Sequence, residues 1–145
     1  MQTRSQRYAL QSYKKISRIK APSAADHKSA DFKAPNPKDY GALALNFPVM
    51  VLQSGLVQAT GFLLAKAKPH HLQFLDDLAS VLAEVGTVQL DKAQAPRDAF
   101  HQKIVASDLA TYQYLTRCTL EASSWFKRYA QAELKASATD GERNG

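Results

Sequence analysis

The 145-residue sequence is poor in the residue types on which many enzymes depend. Its only cysteine, Cys118, excludes an intramolecular disulfide and a cysteine-based metal cluster, which is typical of a protein in a reducing cytosol. The adjacent His70 and His71 would point about 100° apart on a helix, without the i, i+4 spacing of a zinc-binding helix. No glycine-rich phosphate loop followed by Lys-Ser or Lys-Thr occurs. We therefore expect a protein that is not an enzyme and that holds neither a metal nor another cofactor.

A secretion signal and a clear membrane span are missing as well. Residues 1–4 lack the apolar stretch of such a signal. Residues 40–65 carry no charged side chain, yet Asn46, Gln53 and Gln58 would be costly to bury in lipid. A helix in the core of a soluble protein explains this span without that cost. We predict a cytoplasmic protein that does not bind a membrane.

Acidic residues are absent from the first 25 positions, which hold six basic residues. The remaining thirteen basic residues are matched by thirteen acidic ones, so the net charge of +6 lies entirely at the N-terminus. Such an asymmetry indicates a polyanion or an acidic protein surface as the partner.

The first predicted helix carries this positive charge on one face. Thr3 and Gln6 form a capping-box pattern that starts the helix, which should end near Lys20. Five basic side chains fall within about 100° of one another on this helix. They are Arg4, Arg7, Lys14, Lys15 and Arg18. The apolar face opposite them contains Ala9, Tyr13, Ile16 and Ile19, with Tyr8 also expected in the core.

The basic face has two interpretations. A solvated helix face commonly mixes Glu with Lys, but this helix has no acidic residue to offset its like charges. A polyanion would relieve their repulsion. The alternative is a face that is simply solvated.

The middle of the sequence predicts a linker followed by two helices. We expect a flexible linker at residues 21–38, then a short helix that starts at Asn36-Pro37 and ends at Pro48. One buried central helix should follow over residues 48–67. Gly55 and Gly61 within it are interpreted as positions of close backbone packing.

Three more helices are predicted after Pro69. The first ends at Gly86, with Asp76 and Asp77 as favourable charge near its N-terminus. A short helix covers residues 97–106. The last and longest starts at Ser107 or Asp108, reaches about Leu134 and should be mostly enclosed, since one side carries Tyr114, Cys118, Trp125 and Tyr129.

The predicted fold is therefore all-α: a compact single-domain bundle of about five to seven helices with a long C-terminal helix. The helical domain should cover residues 1–136, and residues 137–145 should form a disordered tail.

Five short segments, in this order and spacing, resemble the small subunit of the Cmr (type III-B) CRISPR RNA-guided effector complex. They are residues 3–9, residues 40–44 with Phe47-Pro48, residues 55–59 with Phe62-Leu63, residues 114–117, and residues 125–130. The resemblance covers the chain from Thr3 to about Leu134. It implies an all-α, non-catalytic protein that stacks in more than one copy alongside guide RNA and target RNA, with other Cmr subunits as partners.

The resemblance also implies which basic residues contact RNA. The positions that match its motifs are Arg4, Arg7, Arg117, Lys127 and Arg128. Lys14, Lys15 and Arg18 rest on the helical-face argument alone. Two other functions remain open: a stand-alone helical nucleic-acid-binding regulator, and a protein–protein adaptor whose basic face meets an acidic partner. The regulator would need a recognition helix with base-reading side chains after a tight turn, which the sequence does not show.

Overall fold

The computed structural model of the protein describes residues 1–22 and 34–137, and these residues form six helices and no strand. The helices are α1 (Arg4–Lys20), α2 (Pro37–Ser54), α3 (Leu56–Lys66), α4 (Pro69–Val85), α5 (Pro96–Ala106) and α6 (Leu109–Glu133). The all-α prediction and the long C-terminal helix, of 25 residues, are confirmed. Most of the predicted linker, residues 23–33, and most of the predicted tail, residues 138–145, lie outside the described residues.

Helix α1 starts as predicted, because the Thr3 side chain accepts from the Gln6 N–H and the Gln6 side chain accepts from the Thr3 N–H. Its buried side consists of Tyr8, Ser12, Ile16 and Ile19. Tyr13, which we predicted in the core, is 45% exposed. That prediction is wrong because the buried stripe is centred on Ser12 rather than on Tyr13.

The predicted boundary between the two central helices is also wrong. Pro48 lies inside α2, which continues to Ser54, and the chain breaks at Gly55 instead. Gly55 has φ 87° and ψ 162°, a combination that only glycine adopts readily. The first N–H groups of α3, on Leu56 and Val57, donate to the Tyr112 hydroxyl at 3.0 and 3.3 Å. The break is thus stabilised by a residue of α6 far away in the sequence.

Among the glycines that the structure describes, the closest approach occurs at Gly41, which is not one of the two predicted. An added Cβ at Gly41 would lie 2.9 Å from the Ala136 Cβ, so α2 and the segment after α6 approach each other closely there. At Gly55 an added Cβ would also meet a close neighbour, the Tyr112 hydroxyl at 3.2 Å. At Gly61 an added Cβ would meet the His101 ring at 3.6 Å, which is an ordinary contact.

The core lies where α2, α4 and α6 meet. The ring of Phe74 in α4 has its centroid 5.6 Å from that of Tyr40, 5.2 Å from that of Phe47 and 5.5 Å from that of Phe126. Helix α4 ends at the left-handed Gly86, and Asp108 caps α6 through the Thr111 N–H at 2.8 Å, both as predicted. The predicted enclosure of Tyr114 is wrong, since this residue is 38% exposed.

The two aspartates of α4 do not serve its N-terminus, from which Asp76 is separated by about two turns. Asp76 instead accepts from the backbone N–H of Arg97 at 2.9 Å and from its Nη1 at 2.7 Å, which ties α4 to the start of α5. Asp77 is only 3% exposed and accepts from the Tyr40 hydroxyl at 2.6 Å and from Gln73 Nε2 at 2.8 Å. Burial raises the pKa of Asp77 to about 6. Both side chains therefore make tertiary contacts.

Residues 1–22 and 34–137 contain no helix that is long and apolar enough to cross a membrane.

Candidate nucleic-acid interface

The eight basic residues predicted to bind RNA lie on two neighbouring helices. Arg4, Arg7, Lys14, Lys15 and Arg18 are on α1, and Arg117, Lys127 and Arg128 are on α6. These helices run side by side in the same direction, because three successive contacts advance together along both. Arg4 contacts Glu121, Tyr13 contacts Tyr129, and Lys20 contacts Glu133. The fold thus brings the two sets of predicted residues onto adjacent elements.

The acidic residues missing from α1 are supplied by other helices. Arg4 donates to Glu121 Oε2 through Nη2 at 2.8 Å and through Nε at 3.1 Å. Lys15 Nζ lies 3.3 Å from Glu84 Oε1 at the end of α4. The prediction of a basic face without compensating acid is therefore wrong at Arg4 and Lys15. A single helix cannot reveal such partners, because they lie 117 and 69 residues away in the sequence.

These ion pairs are weak enough to be exchanged. The side chains of Arg4 and Glu121 are 48% and 29% exposed, and those of Lys15 and Glu84 are 21% and 42% exposed. Pairs that water reaches on at least one side typically contribute about 1 kcal/mol or less each. An incoming phosphate can therefore replace the carboxylate at little cost in stability.

Arg7 and Lys14 are the most available cations of α1. Both are exposed, and neither side chain makes a hydrogen bond or ion pair to any other residue that the structure describes. Arg18 is half-buried. Together with Lys15 it favours the ionised form of Asp77 and so lowers the pKa of that carboxyl, but the burial of Asp77 raises the pKa by more. The basic face thus has two parts. Arg7 and Lys14 are exposed to solvent, whereas Lys15 and Arg18 lie near the buried Asp77.

On α6, Arg117, Lys127 and Arg128 are all exposed. Arg117 and Arg128 are eleven residues apart and therefore lie within about 20° of each other around the helix. Glu121 lies between them on the same face, and through it Arg4 joins this group. Lys127 points about 80° to the side of Arg117. The structure thus gathers Arg4, Arg117 and Arg128, and leaves Lys127 apart from them.

The described part of the chain offers no group of three or more His, Cys, Asp or Glu residues that could hold a metal. His70 and His71 lie at the start of α4 as predicted, with ring centroids 4.1 Å apart. Burial lowers the pKa of His71 to about 4, so it is neutral at pH 7. Cys118 is buried. His101 Nδ1 lies 2.7 Å from Thr60 Oγ1, a contact between α5 and α3.

Sequence reasoning missed the aromatic residues between α1 and α6. Tyr13, Tyr129 and Trp125 form a row of ring contacts along this seam, and the Trp125 Nε1–H donates to Ser5 Oγ at 3.2 Å. The sequence contains only the three aromatic residues themselves as a signal, and their helical pattern predicts an interior position for each.

Comparisons with known proteins agree with the resemblance in the sequence. The family model described as "CRISPR-associated protein (Cas_Cmr5)" matches residues 4–133. The chain is 36% identical over 135 residues to "CRISPR system Cmr subunit Cmr5" of Thermus thermophilus, covering 93% of this chain and 99% of that relative. It also resembles the crystal structure of a CRISPR-associated Cmr5 family protein from the same organism. That likeness has a TM-score of 0.69 and 32% identity, and it covers 92% of this chain and 98% of the other.

Proposed function

Since this chain belongs to the CRISPR-associated Cmr5 family, we propose that it is the small, non-catalytic subunit of a cytoplasmic Cmr (type III-B) RNA-guided effector complex. Its partners would be the other Cmr subunits, guide RNA, target RNA and further copies of itself. Its contribution would be basic surface that lies along the guide–target RNA duplex.

The observation that carries the RNA-binding role is the pair Arg7 and Lys14. Two exposed cations without a protein partner among the described residues are a favourable place for phosphates, since no ion pair has to be broken. Arg4, Lys15 and Arg18 continue this face, and Arg117, Lys127 and Arg128 add charge on the adjacent helix. Contacts of this kind bind the RNA backbone without reading its sequence.

A single copy should hold RNA weakly, because it makes few phosphate contacts and each is screened by salt. Copies held side by side in one complex would bind the same duplex at high effective concentration. We therefore expect affinity to rise when the other subunits and the guide are present.

The salt dependence of RNA binding tests the basic face. The double variant Arg7→Ala/Lys14→Ala should weaken binding similarly for unrelated RNA sequences and lower the log–log salt slope by about 0.7 per lost contact to a single strand. Lys38→Ala/Lys103→Ala removes the same charge from exposed positions on α2 and α5, and serves as the matched control. An equal slope in both folded variants would contradict the proposed RNA surface.

Reconstitution tests the role in the complex. This chain, the remaining Cmr-type subunits and a guide RNA would be mixed and weighed by native mass spectrometry. We expect more than one copy of this chain, and target-RNA cleavage that survives replacement of Cys118 or of any histidine. Cleavage of RNA by the purified chain, or its failure to join the assembly, would refute the proposal. Normal assembly with an unaltered salt slope would instead favour the adaptor alternative.

A further inference from the structure

Three aromatic side chains form a continuous row where α1 and α6 meet, and we call them the aromatic row: Tyr13, Tyr129 and Trp125. Tyr129 stacks on Trp125 with ring centroids 5.8 Å apart and 26° between the ring planes. Tyr13 meets Tyr129 at 5.3 Å and 73°, an edge-to-face contact. Tyr129 and Trp125 are partly buried against the core, and Trp125 is held by Ser5. The inner two members of the row are therefore fixed in place.

The outer member of the row, Tyr13, is available to a ligand. In an edge-to-face pair, either the edge of Tyr13 meets Tyr129, or one face of Tyr13 meets the edge of Tyr129. In both cases at least one face of the Tyr13 ring is left uncovered by Tyr129, and 45% of the residue is exposed. An exposed ring on a rigid base is suited to stacking with another flat ring.

Exposed cations lie to the side of this row. Lys14 follows Tyr13 and Arg128 precedes Tyr129, and each leaves its helix about 100° around the axis from its aromatic neighbour. Lys14 makes no hydrogen bond or ion pair to another described residue. Lys20 lies two turns further along α1, where it pairs with Glu133. An aromatic platform beside backbone-binding cations is the arrangement by which proteins hold unpaired nucleotides.

Two other exposed aromatic residues provide a contrast. Phe62 is 44% exposed, but Lys66 Nζ lies 5.5 Å from its ring centroid and occupies one face. Tyr114 is 38% exposed and makes no ring contact to a described residue. Phe62 also contacts another ring, that of His71, with ring centroids 6.2 Å apart, so it differs from Tyr13 in the cation over its face. Among these three residues, only Tyr13 contacts a tyrosine that stacks on a tryptophan.

We infer that the aromatic row is a stacking platform on which Tyr13 binds an unpaired base of RNA. This inference rests on the proposed RNA-binding function and adds to it a preference for nucleotides that are not in a duplex. The basic residues would hold the phosphates, and Tyr13 would add a contact to any of the four bases, because every base has a flat face.

The test compares single-stranded RNA of about ten nucleotides with the same RNA made abasic and with a blunt RNA duplex, each titrated into the full chain. Anisotropy gives Kd, and the fluorescence of Trp125, the only tryptophan, reports the row directly. Tyr13→Leu should lose about tenfold in affinity for normal single strands and nothing for abasic ones. Tyr13→Phe, which keeps the ring, should bind as the wild type does, and so should Phe62→Leu as the matched control.

For weak complexes, NMR signals of the Tyr13 ring protons provide a second readout, since a stacked base shifts them upfield. Equal affinity of the wild type for normal and abasic strands, with no shift of these protons, would overturn the inference. If the Arg7→Ala/Lys14→Ala variant still lowered the salt slope in that case, the proposed RNA surface would stand without the stacking platform. If the chain bound no RNA with or without its partners, both would fail.

Discussion

The carboxylates Asp77 and Glu121 both approach the cations of α1, but one lies in the interior and the other at the surface. Asp77 is 3% exposed and accepts hydrogen bonds from Tyr40 and Gln73, so its position is set by contacts within and between helices. The side chain of Glu121 is 29% exposed and its main partner is Arg4. A buried carboxylate that lost its partners would be strongly unfavourable, whereas an exposed one exchanges partners with water or phosphate. Interior polar contacts thus maintain the fold, and surface contacts remain free to respond to a ligand.

The largest expected effect concerns the pH dependence of stability. The pKa of Asp77 is about 6 in the folded protein against an ordinary value of 3.8, because burial disfavours its charge. The folded state therefore binds the proton more tightly, so the contribution of Asp77 to stability is full below pH 3.8 and is lost as the pH rises through 6. That loss is at most about 3 kcal/mol, at about 1.36 kcal/mol per pKa unit.

The difference in unfolding free energy between the wild type and Asp77→Asn isolates this effect, measured by urea denaturation from pH 4 to 8. The subtraction is needed because the lowered pKa of His71 acts oppositely, reducing stability as the pH falls toward 4. A difference that does not change with pH would contradict the raised pKa of Asp77.

An intermediate effect is expected at the break between α2 and α3. Gly55→Ala should lower the unfolding free energy by about 1–3 kcal/mol, because φ 87° with ψ 162° is strained for any residue with a Cβ. Gly61→Ala is the matched control inside α3, where helix propensity should stabilise the protein by up to about 1 kcal/mol. Opposite signs in thermal or urea unfolding are the expected result. The same sign for both would show that the break does not depend on the conformation of Gly55.

The smallest effect on stability is expected at Glu121, where a substitution should mainly change RNA affinity. Glu121→Gln should change the unfolding free energy by less than about 1 kcal/mol, yet raise RNA affinity about twofold to fivefold at low salt by releasing Arg4. Asp91→Asn in the exposed connector before α5 removes an equal charge and should have less effect. Unchanged affinity for Glu121→Gln would exclude Arg4 from the RNA surface, and a large loss of stability would place Glu121 with the interior contacts.

Much of the helical layout could be predicted from local patterns. The capping box of Thr3 and Gln6, the proline at the start of α4 and the stop at Gly86 each depend on residues within one turn of the helix end. The break at Gly55 could not be predicted in the same way. Proline is tolerated at Pro48 inside α2, and the hydroxyl that caps α3 comes from Tyr112, more than fifty residues away.

In the candidate site, too, some features follow from local sequence and others only from the packing of helices. The basic residues of α1 and their common face follow from helical periodicity, which depends only on the order of residues in one segment. The partners of Arg4 and Lys15 are Glu121 and Glu84, which approach from α6 and α4. The exposure of Tyr13 also depends on how far α1 is rotated against α6. Local sequence therefore determined most of the helix ends, the charge of α1 and the family resemblance. The packing of distant segments decided where α2 ends, which partners Arg4 and Lys15 have and that Tyr13 is exposed, because contacts between helices form only when the chain folds.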